Sequence, residues 1–231
     1  MISFIPGAVR RAGRGWTGEP GALCWDCRAG LRTIGDPCCA CCGNPLEGRA
    51  DHAYTCFHCA QTSPAFDKAR SAMRFDRVAA DLIHQFKYHS ALWLREEFVD
   101  WLAACLQVHY PDIAVDAVCP VPLYPARERE RGFNQAALLA SGLARRLRKP
   151  FWRSAVSRVR RTETQTHLTA RQRLSNVADA FMARAGSRLS GRSVLLIDDV
   201  MTTGATTSAC ARALKNAGCR SVHVVTLARQ Q

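Results

Sequence analysis

The sequence predicts an α/β fold, a mainly parallel sheet flanked by helices, preceded by a small cysteine-rich module held by metal. Three observations carry this expectation. Eight of the 12 cysteines fall between Cys24 and Cys59, short apolar runs alternate with helical patterns after Pro111, and the apolar run Val194 to Ile197 ends in two adjacent carboxylates. Ligands of open α/β sheets bind at that end of the strands. A length of 231 residues with 48% hydrophobic and 22% charged side chains allows a buried core, and excludes wholesale disorder, collagen-like repeats and a coiled coil. The longest apolar runs fall far short of the roughly 20 residues that span a bilayer, so no membrane insertion is expected. The first arginines follow a short apolar stretch rather than precede it, which argues against a secretory leader and for a cytoplasmic location.

The cysteines read as Cys24-x-x-Cys27, then Cys38, Cys39, Cys41 and Cys42, then Cys56-x-x-Cys59. A two-residue spacer lets both thiolates of a pair face one ion, and reducing conditions favour metal over disulfides. Cys39 and Cys42, followed by Gly43, look like a zinc knuckle that Cys56 and Cys59 close into a tetrahedron. Cys38 with Cys41 is an alternative register, and Cys24 with Cys27 are candidate ligands of a second or incomplete site. Residues 1–62 are rich in Gly, Pro and Cys with little periodicity, so a zinc-ribbon-like module is expected there. Cys105, Cys119, Cys210 and Cys219 stand singly in apolar surroundings and read as small core residues.

Residues 63–113 are expected to form a helical lead-in to the α/β domain. Val78, Leu82, Ile83 and Phe86 mark one apolar stripe, and Leu92, Leu94, Phe98, Trp101, Leu102 and Leu106 a second. His84, His89, Trp93 and Trp101 read as packing or surface residues on these helices. Beyond Pro111 the pattern gives a strand at 114–119, a helix at 134–148, a strand at 194–200, a helix at 206–217 and a strand at 222–227. Such alternation argues for a parallel sheet.

The segment from Val194 to Thr206 carries the chemistry. Its loop supplies backbone N–H groups and the hydroxyls of Thr202, Thr203 and Thr206; Gly204 permits close approach, and the N-terminus of the helix that follows favours an anion. Asp198 and Asp199 repel that anion, so sugar hydroxyls are their sensible partners. A 5-phosphorylated ribose satisfies both halves. Residues 116–190 hold 15 basic and 5 acidic side chains, a field that attracts phosphate-rich ligands, from a phosphorylated sugar to a nucleic acid.

These thirteen residues resemble the phosphoribosyl pyrophosphate (PRPP) motif of type I phosphoribosyltransferases. Together with the N-terminal Cys-x-x-Cys pairs, Cys119-Pro-Val-Pro-Leu123, Arg131-Gly-Phe-Asn-Gln135 and the basic stretch holding Gln165, Arg171, Arg173 and Asn176, the chain resembles the ComF family over nearly its whole length. The resemblance implies a type I phosphoribosyltransferase fold over residues 63–231 behind the zinc module, with Asp198, Asp199 and the residues Thr202, Thr203, Gly204, Ala205 and Thr206 on PRPP. It also implies a pyrophosphate loop at Val121 and Pro122 with Arg127, Arg129 and Arg131 beside it, and a mobile hood from Arg160 to Asn176. Mg²⁺ would accompany PRPP, bridging pyrophosphate and ribose hydroxyls. Family members serve DNA uptake in natural transformation, which implies single-stranded DNA and a competence helicase or other uptake proteins as partners. Thr202 stands where 6-oxopurine phosphoribosyltransferases carry an aspartate that assists proton transfer, so hypoxanthine or guanine salvage is disfavoured. No catalytic acid or base is readable. Two classes of function follow: an enzyme transferring phosphoribose to an unidentified acceptor, as in nucleotide metabolism, and a non-enzymatic DNA-binding competence factor. In the second, Phe133, Phe151 and Trp152 are candidates for stacking on bases, although core packing suits them better.

Overall fold

The computed structural model describes residues 23–48, 52–160, 179–184 and 188–230. A four-stranded, all-parallel sheet forms its centre. The strands are β1 (Lys68–Arg74), β2 (Ala117–Pro120), β5 (Ser193–Met201) and β6 (Ser221–Arg229), in spatial order β1-β6-β5-β2. Parallel strands covered on both faces read as continuous apolar runs, and in β5 every residue except Val200 is buried. Alternation divides the core between the two faces. Leu195, Ile197, Val225 and Leu227 point into one layer, while Val194, Leu196, Val222 and Val224 point into the other.

Helices α3 (Arg77–Tyr88), α4 (Leu94–His109) and α6 (Gln135–Leu147) fill the first layer, where Phe86, Phe98, Leu102, Leu139 and Leu143 are fully buried. Asp76 starts α3 by accepting a hydrogen bond from the Ala79 N–H at 3.0 Å, a standard N-cap. The second layer holds α7 (Ala205–Asn216) and a small antiparallel pair, β3 (Val156–Arg158) with β4 (Phe181–Ala183). Cys105, Cys119, Cys210 and Cys219 are all buried, as expected. None of the described helices is long and apolar enough to cross a membrane.

The lead-in to the sheet differs from the helical expectation, because Lys68–Arg74 is a strand. Its pattern conceals this: Arg70 and Ser71 are polar yet buried, with Ser71 Oγ 2.7 Å from Thr226 Oγ1 on β6. The outer edge of β1 is covered by the cysteine-rich segment. Ala69 N donates to Cys41 O at 2.8 Å, Arg74 N to Arg32 O at 2.8 Å, and Ile34 N to Ala72 O at 3.3 Å. An edge strand that would otherwise offer unpaired backbone groups is thus closed within the chain. The same segment contributes helices α1 (Trp25–Ala29) and α2 (Phe57–Thr62), and a four-residue connection, 121–124, leads from β2 into α5 (Pro125–Arg131).

Candidate functional site

The register of β5 against β6 sets Asp198 opposite Thr226, at the C-terminal end of the sheet. Both Asp198 and Asp199 are buried. Asp198 Oδ1 accepts from Asp199 N at 2.9 Å and Asp199 Oδ1 from Val200 N at 2.8 Å, which fixes the two carboxylates on their own backbone. Five residues after Asp199, the chain turns through Gly204 at φ 79°, a left-handed conformation that favours glycine. A Cβ there would stand 2.6 Å from Met201 Cε and 3.5 Å from Phe66 Cε1. The turn leads directly into α7, where Thr207 Oγ1 donates to Gly204 O at 3.0 Å and Thr203 Oγ1 accepts from Ala205 N at 3.4 Å. Thr202, Thr203 and Thr206 are half-buried beside the helix N-terminus. Free N–H groups at such a terminus and the dipole behind them suit an anion.

Lys87, in the last turn of α3, forms an ion pair with Asp199 Oδ2. Burial pushes Asp198 up to about 7, opposed by the nearby Lys87 and Arg158. Burial pushes Lys87 down to about 8, opposed by Asp198, while Arg131 and Arg127 add to the lowering. The Arg131 guanidinium lies over the Tyr88 ring at 4.9 Å and its Nη2 donates to Tyr88 Oη at 3.3 Å, so α3 and α5 meet at the acid pair. The sequence reading missed Lys87, Tyr88 and Arg158. For Lys87 a signal existed: it falls four residues after Ile83 on the apolar stripe of α3, where a charge is out of place.

Val121 and Pro122 follow β2 and lie beside the end of β5, because Val121 N donates to Ile197 O at 2.8 Å. Asn134 holds this turn from the other side: its Nδ2 donates to Val121 O at 3.1 Å while its Oδ1 caps α6 through Ala137 N at 3.3 Å. Arg131 is anchored on Gln135 Oε1 at 2.5 Å, and Arg127 and Arg129 are exposed on α5. The acid pair, the glycine turn, the Val121 turn and the cations of α3 and α5 are therefore one neighbourhood. Gln165, Arg171, Arg173 and Asn176 lie outside the described residues.

The cysteines form a second centre. The Sγ atoms of Cys39, Cys42, Cys56 and Cys59 all lie within 4.8 Å of one another, and Cys42 and Cys56 are 3.7 Å apart. Tetrahedral zinc at about 2.3 Å from each sulfur requires S···S separations of about 3.8 Å, so the set fits. Cys39 Sγ accepts from Cys42 N at 3.5 Å and from Cys56 N at 3.3 Å. Hydrogen bonding from Cys59, helped by Arg229, pushes the Cys42 thiol down to about 4, and the same contact raises Cys59. Charge supports the fit. Arg229 donates Nη2 to Cys42 Sγ at 3.4 Å, and buried Arg70 donates Nη1 to Ala40 O at 3.2 Å. Nε and Nη1 of Arg229 and Nε of Arg70 have no hydrogen-bond partner among the described residues. Four thiolates around a dication carry two negative charges, which these two buried guanidiniums balance.

The cluster settles on Cys39 with Cys42, while Cys38 Sγ donates to Asp36 Oδ1 at 3.3 Å. Cys24 and Cys27 are not drawn into it; both pack in the first core layer with Leu23 and Met73, and among the described residues no other group of three metal-ligating side chains forms. A cavity of about 460 Å³ between Met73, Trp101, Cys105 and Val108 is walled mainly by apolar side chains and contains none of the site residues above.

A parallel sheet in this order, with paired carboxylates and a glycine turn at the C-terminal end of one strand, defines the type I phosphoribosyltransferase fold. Residues 134–231 match the phosphoribosyl transferase domain family. Over 90% of its length the chain is 33% identical to competence protein F of Haemophilus influenzae, spanning 90% of that protein. It is 32% identical to the DNA utilization protein YhgH of Escherichia coli over 90% of this chain and 96% of that one. It is 30% identical to competence protein ComFC of Bacillus subtilis over 90% of this chain and 84% of that one. The chain belongs to the ComF family.

Proposed function

We propose that this protein binds PRPP with Mg²⁺ at the Asp198–Thr206 segment and serves the handling of DNA during uptake. The observation that carries the reading is the convergence on one sheet end of two chemically distinct halves. The glycine turn and the N-terminus of α7 receive the 5-phosphate through N–H groups and the hydroxyls of Thr203 and Thr206, and the buried Asp198 and Asp199 accept from the ribose hydroxyls. The pyrophosphate then falls toward the Val121 turn, with Arg127, Arg131 and Lys87 as counter-charges. Mg²⁺, when bound with PRPP, would supply positive charge that offsets the pyrophosphate. Zinc on Cys39, Cys42, Cys56 and Cys59 is structural. The DNA role is supported by the relatives, named as competence and DNA utilization proteins over nearly their whole length.

Transfer itself would form a bond from an acceptor to C1′ as the C1′–O bond to pyrophosphate breaks. Among the described residues, none outside the acid pair is assigned to take the acceptor's proton, and Thr202 cannot, so the geometry supports PRPP binding rather than transfer to a named acceptor. Titration calorimetry with PRPP and Mg²⁺ tests it, expecting saturable binding that Asp198→Asn/Asp199→Asn abolishes. Binding that survives the double variant, or none in the folded wild type, would sink it. Pyrophosphate release in the presence of candidate bases and amines then separates an enzyme from a PRPP-sensing factor.

A second reading, direct contact with single-stranded DNA, draws on the basic middle of the chain. Part of that charge is spoken for. Arg145 pairs with Glu96 and Arg146 with Asp100 between exposed faces of α6 and α4, and Arg153, in the turn before β3, pairs with Glu128 of α5. Binding that weakens steeply with salt and ignores Asp199→Asn would favour this reading for the remaining cations.

A further inference from the structure

The turn that would receive the 5-phosphate is fastened to the four-cysteine module. His58, between Cys56 and Cys59, places Nε2 2.9 Å from the carbonyl oxygen of Thr203. A carbonyl can only accept, so Nε2 is the protonated ring nitrogen. Phe66 lies beneath Gly204, where its ring would meet an added Cβ at 3.5 Å. Ala65 N donates to Ser208 Oγ at 3.0 Å, on the first turn of α7. Within the module His58 is itself fixed, since Thr62 Oγ1 donates to its carbonyl at 2.8 Å and α2 starts at the Cys56 cap.

This contact has a definite geometric effect. The peptide linking Thr203 to Gly204 is planar and trans, so its C=O and N–H point in opposite directions. Holding the Thr203 carbonyl toward the module turns the Gly204 N–H away from it, to the side of the turn left for the ligand. We infer that His58 is a positioning residue through which the metal bound by Cys56 and Cys59 sets the shape of the phosphate turn, so that metal occupancy and affinity for the phosphate end of the ligand are linked. The inference rests on the PRPP reading above. Linkage is reciprocal: whatever factor the metal adds to phosphate affinity, the phosphate adds to metal affinity.

The experiment uses full-length, zinc-loaded wild type, His58→Phe, which keeps a ring without the donor, and His58→Gln, whose amide nitrogen reaches nearly the same place. Ribose 5-phosphate and inorganic pyrophosphate with Mg²⁺ are titrated separately by calorimetry. His58→Phe is expected to weaken ribose 5-phosphate by roughly 5- to 20-fold, the worth of one hydrogen bond, and to leave pyrophosphate unchanged. His58→Gln should recover most of the loss. Saturating ribose 5-phosphate should also slow zinc transfer to a chromogenic chelator in wild type and His58→Gln but not in His58→Phe. Equal ribose 5-phosphate affinity in wild type and a fully zinc-loaded His58→Phe would overturn this inference alone. Should His58→Phe fail to hold zinc, metal-stripped wild type replaces it, and unchanged ribose 5-phosphate affinity there overturns the inference equally. No ribose 5-phosphate binding by zinc-loaded wild type would remove the PRPP reading and this inference with it.

Discussion

A carboxyl group withdrawn from water holds its proton, and Asp198 is the residue where that matters most. Its ordinary range is near 4, and burial pushes it up to about 7 against the pull of Lys87 and Arg158. A ligand whose hydroxyls donate to the ionised form must expel that proton to bind below about pH 7. Affinity for Mg·PRPP is therefore expected to rise with pH through about 7 and then level off, with proton release detected by calorimetry in buffers of different ionisation enthalpy. Asp198→Asn should flatten the profile. The groups facing Asp198 set where it lies: Lys87→Met removes the stronger of the two cations that hold it down, so the midpoint of any remaining binding should move up. Movement downward would contradict this account. The stability sign is the opposite. Because the folded group is raised above its unfolded value, Asp198 contributes stability that is present below about pH 4 and lost as pH rises through about 7.

At the scale of elements, the turn between β5 and α7 does its work because residue 204 is glycine. Its φ of 79° strains any residue with a side chain, and an added Cβ would also have to displace Met201 Cε from 2.6 Å. Gly204→Ala should cost about 1–3 kcal/mol of stability and lower PRPP affinity more than tenfold, measured by denaturant unfolding and calorimetry. An alanine variant with full affinity would show that the turn does not shape the site. Elements of this kind were legible in the sequence because local physics dictates them. Strand β5, buried on both faces, has to be apolar until its end, and α7 has to begin where the glycine stops. Other elements answer to tertiary contacts. Strand β1 hides behind Arg70 and Ser71, which are buried only because Ala40 and Thr226 receive them. Lys87 is out of place on its apolar stripe, but its partner Asp199 stands 112 positions away in sequence and only the fold brings the two together. Cys24 and Cys27 have the same spacing as Cys39 and Cys42, and only the fold decides which pair meets Cys56 and Cys59.

On the scale of the whole molecule, the cysteine cluster is a seam as much as a module. Cys41 and Arg32 pair with the outer edge of β1, Arg229 at the end of β6 reaches Cys42, and His58 reaches the Thr203 carbonyl in the turn before α7. Sequence reasoning would let Cys56→Ser release zinc and loosen only the N-terminal segment, leaving the α/β core. These contacts extend the consequence inward. Without metal, four thiols crowd together, Arg70 and Arg229 lose their anionic partner in the interior, and the backbone that closes β1 loses its support. Cys56→Ser, or metal removal by a chelator, is therefore expected to release zinc, lower the melting temperature by more than about 5 °C, and expose the β1 edge to other copies of the chain. An exposed edge strand pairs readily, so light scattering should show association that grows with protein concentration and reverses when zinc is restored to the wild type. A stripped protein that stays monomeric with an unchanged melting temperature would show that the sheet stands without the metal, and the cluster would then be an appendage rather than part of the fold.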